Sequence, residues 1–146
     1  LHWMVHSFPT RRSSDLQLSN NLAQVRQLPF IPLSALRGQN LDKLMEACLN
    51  TYEIWNRRVN TGRLNRWLES KISHYPPPLS GGRPNKMRYM TQINVRPPTF
   101  AVWTSKPEAV PDTYKRYLMN GLREDYDLDG VPIRLLLRKS KNPYAR

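Results

Sequence analysis

The chain has 146 residues, enough for one full domain and part of a second. Its single cysteine excludes an internal disulfide framework and predicts a reducing, cytoplasmic setting. No apolar run approaches the roughly 18 residues of a membrane span, so a membrane-spanning function is excluded. The net charge of +12 favours a polyanionic partner, nucleic acid first and an anionic membrane second, over a role in solubility alone. Residues 58–146 hold most of this charge, with 17 basic and 7 acidic side chains.

The first 16 residues are unlike the rest of the chain. The segment His6–Leu16, HSFPTRRSSDL, resembles the translation of a common sequencing adapter over its whole length. We therefore expect residues 1–16 to be non-native, and we leave them out of the fold prediction. The alternative is a natural disordered arm in which Arg11 and Arg12 form a weak basic patch.

The next segment combines a short apolar run with a helical pattern. Residues 28–33 predict a buried strand, which their two prolines weaken. Asn40 is predicted to cap a helix that ends near residue 57. Cys48 lies on the apolar face of this helix, so we interpret it as a buried packing residue and not as a nucleophile. The apolar residues at helical spacing are Leu41, Leu44, Met45, Cys48, Tyr52 and Trp55.

A second helix and a pair of strands follow. Thr61 is the predicted cap of the helix, which ends before three prolines at 76–78. Residues 87–95 and 99–105 both alternate with period two, which predicts strands. Prolines 97 and 98 separate them, so we predict an antiparallel pair joined by a stiff turn.

A third helix and a third strand complete the pattern. Pro111 and Asp112 open the helix, and Gly121 in its interior predicts close packing against the sheet. Alternating apolar residues predict a strand over 132–138. From residue 61 the order is helix, strand, strand, helix, strand. This order predicts an α+β fold with a three-stranded sheet and two helices on one of its faces.

Three sequence blocks resemble the C-terminus of the Der (EngA) family of bacterial GTPases. They are WNRRVNTGRLN at 55–65, KMRYMTQ at 86–92, and GVPIR at 130–134 with KNPY at 141–144. The resemblance covers about residues 17–146. The family has two tandem GTPase domains followed by a KH-like domain, binds GTP with Mg²⁺, and assists maturation of the large ribosomal subunit. The resemblance implies that residues 17–57 end the second GTPase domain, as a strand and helix of its P-loop fold, and that 58–146 form the KH-like domain.

The resemblance also implies what this chain lacks. Ser34, Ala35 and Leu36 resemble the last guanine-nucleotide motif, in a loop whose backbone contacts the base. Neither a G-x-x-x-x-G-K-[ST] phosphate loop nor an Asn-Lys-x-Asp motif occurs in the sequence. We therefore expect the intact protein to bind GTP with Mg²⁺, but we expect no cofactor and no catalytic residue in the 146 residues of this chain. Without most of the GTPase sheet, the first helix should expose an apolar patch at Leu44, Met45, Cys48 and Tyr52.

We expect RNA contact, if made, to depend on charge. A KH domain holds single-stranded RNA with a Gly-x-x-Gly loop, and none occurs in this sequence. Trp67 and Trp103 are interpreted as core residues, which leaves Tyr144 as the stacking candidate. The expected partners are the large ribosomal subunit and its rRNA, or the missing GTPase domains of the same chain. We expect the protein to be a monomer. The RNA or docking candidates are Arg63, Arg66, Arg83, Lys86, Arg88, Arg138, Lys139, Lys141 and Tyr144.

Other functions remain as alternatives. The nearest is a stand-alone basic RNA-binding module without a GTPase partner domain. A small enzyme could use the acidic group at residues 124–129, but no His or Lys base is placed with it in the sequence. No helix has a polar face made only of Lys and Arg, so a membrane-surface module ranks last. No Cys, His or Asp with ligand spacing accompanies His74, which argues against a metal site.

Overall fold

The structure is a computed structural model that describes residues 28–140. After residue 61 the predicted order of helix, strand, strand, helix, strand is confirmed. The elements are α1 (Leu41–Trp55), α2 (Thr61–His74), β1 (Met87–Asn94), β2 (Thr99–Thr104), a 3₁₀ turn (Pro107–Ala109), α3 (Asp112–Tyr126) and β3 (Arg134–Lys139).

The three strands form one mixed sheet in the order β1-β2-β3. β1 and β2 are antiparallel, as predicted, and the turn at residues 95–98 that joins them includes a cis peptide bond between Arg96 and Pro97. β3 runs parallel to β2 because α3 carries the chain back across the sheet. The register places Tyr89 beside Trp103 and Trp103 beside Arg138, so these three residues form one row across the sheet.

Both α2 and α3 pack on the same face of the sheet, as predicted. Apolar side chains of the two helices meet alternate residues of the strands, and these contacts form one core. The α3 residues recur at helical spacing, which keeps them on the buried face. The largest contributors are Leu64, Leu68, Met90, Phe100, Val102, Tyr114, Leu118 and Leu122, each no more than 2% exposed.

The inward face of β1 is the less apolar of its two alternating sets. Met90 and Gln92 are buried, whereas Tyr89 and Ile93 are 43% and 42% exposed. Register shifts interrupt the ladder between Met87 and Tyr89 and again after Gln92. The shift at the start lets Met87 join the core although it has the sequence parity of Tyr89. The alternation in β1 was therefore predictable from the sequence, whereas the face of the strand that is buried was not.

Gly121 makes its close contact with α2, so the prediction that it packs against the sheet is wrong. A Cβ atom at this position would lie 3.1 Å from Trp67 Cζ2 and 3.1 Å from Lys71 Cε. The indole Nε1–H of Trp67 donates to Asp125 Oδ2 at 2.7 Å, one turn along α3 from the glycine. The missing side chain therefore lets two helices approach each other.

Of the two predicted helix caps, that of α2 is wrong and that of α1 is confirmed in position. The cap of α2 is Asn60, whose Oδ1 accepts from the backbone N–H of Gly62 at 2.8 Å. The Thr61 hydroxyl instead hydrogen-bonds the Thr91 hydroxyl of β1. Asn40 is the N-cap residue of α1, and its carbonyl accepts from the Leu44 N–H at 3.1 Å. Its φ is 60°, and its side chain does not cap the helix but donates from Nδ2 to the Pro32 carbonyl at 2.8 Å. Asparagine tolerates this left-handed conformation better than most residues.

Residues 28–33 form no strand, so that prediction is also wrong. The segment is coil, and Leu33 is 43% exposed. Two prolines remove two ladder donors, and no neighbouring strand is described for the segment to pair with. It lies against α1, where Pro29, Phe30 and Ile31 line one side of a groove of about 580 Å³.

α1 contains no fully buried residue. Met45 and Tyr52 are 59% and 51% exposed, and Cys48 is also exposed. The predicted apolar patch is thus confirmed at these three positions, with Leu44 partly buried. The prediction that Cys48 is a buried packing residue is wrong, because residues 29–31 line only one side of the groove along this face and leave Cys48 exposed.

We expect a tyrosine ionisation near pH 12 that depends on Tyr114. This side chain is 2% exposed, and its hydroxyl donates to the Tyr75 carbonyl at 2.8 Å. Burial, with smaller effects from Tyr117 and Tyr75, raises the pKa of Tyr114 to about 12. Because the folded-state pKa lies above the usual value of 10.0, this contribution to stability is present below pH 10 and is lost as pH rises towards 12.

Ultraviolet absorbance during an alkaline titration measures this step. Tyr114→Phe should remove it, and the matched variant Tyr89→Phe, on an exposed tyrosine of β1, should keep it. Persistence of the late step in Tyr114→Phe would show that another tyrosine is responsible.

Candidate nucleic-acid interface

Basic side chains on or next to the three strands lie at one end of the sheet. Thr104 pairs with Met87 on one side and with Lys139 on the other, so β1 begins where β2 and β3 end. Flanking backbone bonds extend the pairing, with Ser105 N–H donating to the Lys86 carbonyl at 3.0 Å. All of the basic side chains here are exposed. We call this group the basic end, which comprises Lys86, Arg88, Lys106, Arg138 and Lys139.

Asn85 fixes the backbone of the basic end. It is 2% exposed, and its Oδ1 accepts from the Thr104 hydroxyl at 2.6 Å, the Ser105 hydroxyl at 2.8 Å and the Lys106 N–H at 3.0 Å. Its Nδ2 donates to the Lys106 carbonyl at 2.7 Å. The side chain therefore joins the residue before β1 to the segment after β2. Sequence reasoning missed it, because an asparagine between a proline and a strand is typical of an ordinary loop.

The turn that carries Arg83 lies next to the basic end. Ser80 and Arg83 exchange both backbone hydrogen bonds, at 2.9 and 3.2 Å. Gly81 and Gly82 between them have φ values of 59° and 73°, a pair of left-handed conformations that favours glycine at both positions. The ammonium of Lys106 reaches the Ser80 hydroxyl at 3.5 Å. Of the predicted residues, the structure thus brings together Arg83, Lys86, Arg88, Arg138 and Lys139.

The remaining predicted RNA residues lie elsewhere. Arg63 and Arg66 are exposed on α2, in the helical layer. The guanidinium of Arg63 is 6.0 Å from the centre of the Tyr126 ring on α3, which holds it over that layer. Lys141 and Tyr144 lie outside the described residues. The nine predicted residues therefore do not form one surface within residues 28–140.

The face of the sheet that the helices leave uncovered carries exposed rings and guanidinium groups. The rings of Tyr89 and Trp103 have centroids 5.3 Å apart, and Arg138 Cζ is 5.8 Å from the Trp103 ring. Trp103 is only partly buried and lies outside the core, so its interpretation as a core residue is wrong. Trp67 is also partly buried and packs against the core. We call this surface the open face, which comprises Tyr89, Ile93, Trp103, Arg134, Leu136 and Arg138.

The predicted guanine loop is a tight turn at the surface. Ser34 and Gln39 exchange backbone hydrogen bonds at 3.2 and 3.1 Å, and the Ser34 hydroxyl accepts from the Arg37 N–H at 3.3 Å. Ala35 is exposed and Leu36 is 96% exposed. The turn presents its backbone to solvent, as a base-contacting loop requires, but no described residue forms an opposite wall.

The acidic group at the end of α3 forms ion pairs instead of a catalytic site. Asp125 accepts from Lys71 Nζ at 2.8 Å, although sequence reasoning placed no lysine near it. The hydrogen bond from Lys71, helped by that from Trp67, lowers the pKa of Asp125, and the same bond raises the pKa of Lys71. Both groups are thus held in their charged forms, which is the opposite of what a general acid or base needs. Asp127 lies 3.7 Å from Arg57 Nη1.

Neither a candidate metal site nor a membrane-spanning helix is found among residues 28–140. No group of three His, Cys, Asp or Glu side chains in this part of the chain could hold a metal ion. None of the described helices has the length and apolar character that crossing a membrane requires.

Comparison with known proteins identifies the family. A sequence profile described as "KH-domain-like of EngA bacterial GTPase enzymes, C-terminal" matches residues 58–138, more than half of the chain. The chain belongs to the Der (EngA) family. The GTPase Der of Brucella suis is 60% identical over 124 residues, and that of Mesorhizobium japonicum is 54% identical over the same length. Each alignment covers 85% of this chain and 26% of the relative, so the chain spans about a quarter of the length of these proteins.

The family membership agrees with the architecture. The matched range begins three residues before α2 and ends one residue before the end of β3, so it contains nearly the whole sheet and both helices that cover it. α1 precedes the matched range. The Der family and the KH-like fold, both expected from the sequence blocks, are therefore confirmed.

Proposed function

We propose that this chain is the C-terminal part of a GTP-binding protein that assists assembly of the large ribosomal subunit. In this proposal residues 58–146 are a KH-like module that docks on rRNA and on the GTPase domains. Residues 17–57 end the second GTPase domain, and residues 1–16 are not native. GTP and Mg²⁺ are bound by the intact protein, a cytoplasmic monomer, and Ser34–Leu36 contributes backbone to the guanine site.

The exposed face of α1 supports the GTPase part of the proposal. Apolar side chains of α1 and of residues 29–31 line a groove of about 580 Å³, and Leu49 and Tyr52 beside it are 61% and 51% exposed. An apolar surface of this kind on a folded chain marks a site of packing against another element. The curated relatives, of which the 124 aligned residues are 26%, contain enough additional chain to cover it.

The basic end is the observation that carries the RNA part of the proposal. Five exposed lysines and arginines lie at one end of the sheet, and Asn85 fixes the backbone that carries two of them. Clustered cations on a rigid support bind phosphates and release counterions, and the affinity is independent of base sequence. The absence of Gly-x-x-Gly from the sequence agrees with binding by charge.

The salt dependence of ribosome binding tests this proposal. We expect the chain to co-sediment with purified large ribosomal subunits at low salt. Charge-removing variants of the basic end, Lys86→Gln, Arg138→Gln and Lys139→Gln, should each reduce the slope of log K against log salt by about 0.7 to 0.9. Arg116→Gln, which removes an exposed arginine from α3 in the helical layer, is the matched control and should keep the slope.

Two results would contradict the RNA part of the proposal. One is a lack of binding at low salt, which would leave docking on the GTPase domains as the module's role. The other is a slope that Arg116→Gln lowers as much as the basic-end variants do, which would indicate an effect of net charge.

A further inference from the structure

The charges of this domain are segregated between its two layers. The three strands contain four basic residues and no acidic residue. Helices α2 and α3, on the other face, contain six lysines and arginines against four acids, and Lys71 and Lys115 among them are paired with carboxylates at 2.8 and 2.9 Å. The open face therefore lies on a sheet without carboxylates, and anions are attracted to it.

The open face also presents aromatic surface in a fixed position. Tyr89 and Trp103 are cross-strand neighbours, so the backbone ladder sets the distance between their rings. Tyr89 is 43% exposed, and Trp103 is partly exposed beside it. Arg138 stands in the same row, 5.8 Å from the indole ring. The row thus combines a stacking platform with a cation.

The flanks of this row favour a planar and anionic occupant. Leu136 and Ile93 are 41% and 42% exposed, and they extend the apolar surface along the sheet. Arg134 lies two residues before Leu136 on the same side of β3, and Arg138 lies two residues after it. Guanidinium groups therefore stand on both sides of that leucine. Unpaired nucleotides fit this arrangement, because their bases stack on rings while their phosphates pair with guanidinium groups. The bases of a duplex are inaccessible to such a flat surface.

We propose that the open face is a binding site for single-stranded RNA, with unpaired bases stacked on Tyr89 and Trp103 and a phosphate paired with Arg138. This inference rests on the proposed RNA-docking function and adds to it a second surface, which shares Arg138 with the basic end. It assigns binding energy to bases, whereas the basic end alone would contact only phosphates. The occupant is a short single-stranded segment of RNA that places unpaired bases on the two rings.

Two labelled probes test the inference with the full 146-residue chain. One is fluorescein-labelled oligouridylate of about twelve nucleotides, and the other is an abasic oligomer of equal length. We expect tighter binding of oligouridylate. Tyr89→Leu and Trp103→Leu should each weaken binding of oligouridylate by about tenfold, the loss of one base–aromatic stack, and change binding of the abasic probe little.

Matched variants separate stacking from general effects. Tyr89→Phe keeps the ring and should bind as the unmodified chain does. Tyr52→Leu removes an exposed tyrosine from α1 that also has a guanidinium near its ring, with Arg96 Cζ at 5.3 Å, and should have no effect. Thermal unfolding monitored by circular dichroism checks each fold. If Trp103→Leu fails to fold, the comparison of Tyr89→Leu with Tyr89→Phe still decides the test.

The outcomes distinguish this inference from the proposed function. If oligouridylate binds but Tyr89→Leu has no effect, or if the abasic probe binds equally well, the open-face site is overturned and RNA docking by charge stands. If neither probe nor the ribosomal subunit binds at low salt, both are overturned, and the open face is then a surface for the GTPase domains.

Discussion

Asn85→Ala is expected to lower the free energy of unfolding by about 3 kcal/mol, a large effect for one polar side chain. The substitution removes four hydrogen bonds at once. The Thr104 hydroxyl, which is fully buried, loses its acceptor, and a buried polar group without a partner costs about 1 to 3 kcal/mol. Equilibrium unfolding in urea measures the change.

Two variants control this prediction. Asn85→Asp keeps an acceptor for the three donors but loses the bond to the Lys106 carbonyl and buries a charge, so it should also destabilise the chain. Asn50→Ala changes an exposed asparagine on α1 and should alter the free energy of unfolding by less than about 0.5 kcal/mol. A loss in Asn85→Ala no larger than in Asn50→Ala would show that the buried network contributes nothing to stability.

Local sequence patterns predict some features of this fold and not others. The order of the elements was predictable, because the period-two strands and the helical stripes are each set by local patterns. The direction of β3 relative to β2 and the inward face of β1 depend on contacts between distant residues. Met90 and Gln92 point inward because α2 and α3 cover that side, and the more apolar set of β1 is left for the open face.

The prediction of the candidate site was limited in the same way. Charge is a property of composition, so the sequence located an excess of basic residues but not the surface that they share. Arg138 and Lys86 lie at the same end of the sheet because β1 begins where β3 ends, which follows only from the register. Trp103 was interpreted as a core residue because tryptophan is usually well buried, and the sequence does not reveal which strand face the helices leave open.

The junction between α1 and the sheet is another feature that local patterns did not reveal. Arg57 donates from Nη1 to the carbonyls of Tyr126 and Asp127, both at 2.8 Å, where α3 ends. The guanidinium of Arg96, in the β1–β2 turn, donates to the Asn56 side chain and lies over the Tyr52 ring. These contacts fix α1, which has no buried residue of its own, against the end of the sheet. A movement of α1 would thus be transmitted to the sheet.

Gln92→Leu is expected to destabilise this junction by about 2 to 3 kcal/mol. Gln92 is 6% exposed; its Oε1 accepts from the Val59 N–H at 2.7 Å, and its Nε2 donates to the Arg57 carbonyl at 3.1 Å. Leucine has a similar volume, so the change removes both hydrogen bonds and creates little cavity. The buried Val59 N–H is then left without its acceptor. Urea unfolding measures the loss of stability, and amide hydrogen exchange should show the Val59 amide exchanging at least about tenfold faster.

Gln39→Leu is the matched control, because it makes the same chemical change at an exposed position in the Ser34–Gln39 turn. It should leave both the stability and the exchange of Val59 unchanged. If Gln92→Leu speeds exchange at Val59 without faster exchange in β2, the junction opens locally while the sheet persists, and α1 and the sheet are coupled mainly through this side chain. Unchanged exchange at Val59 would instead mean that Arg57 and Arg96 hold the junction without Gln92, and the coupling assigned to it would be wrong.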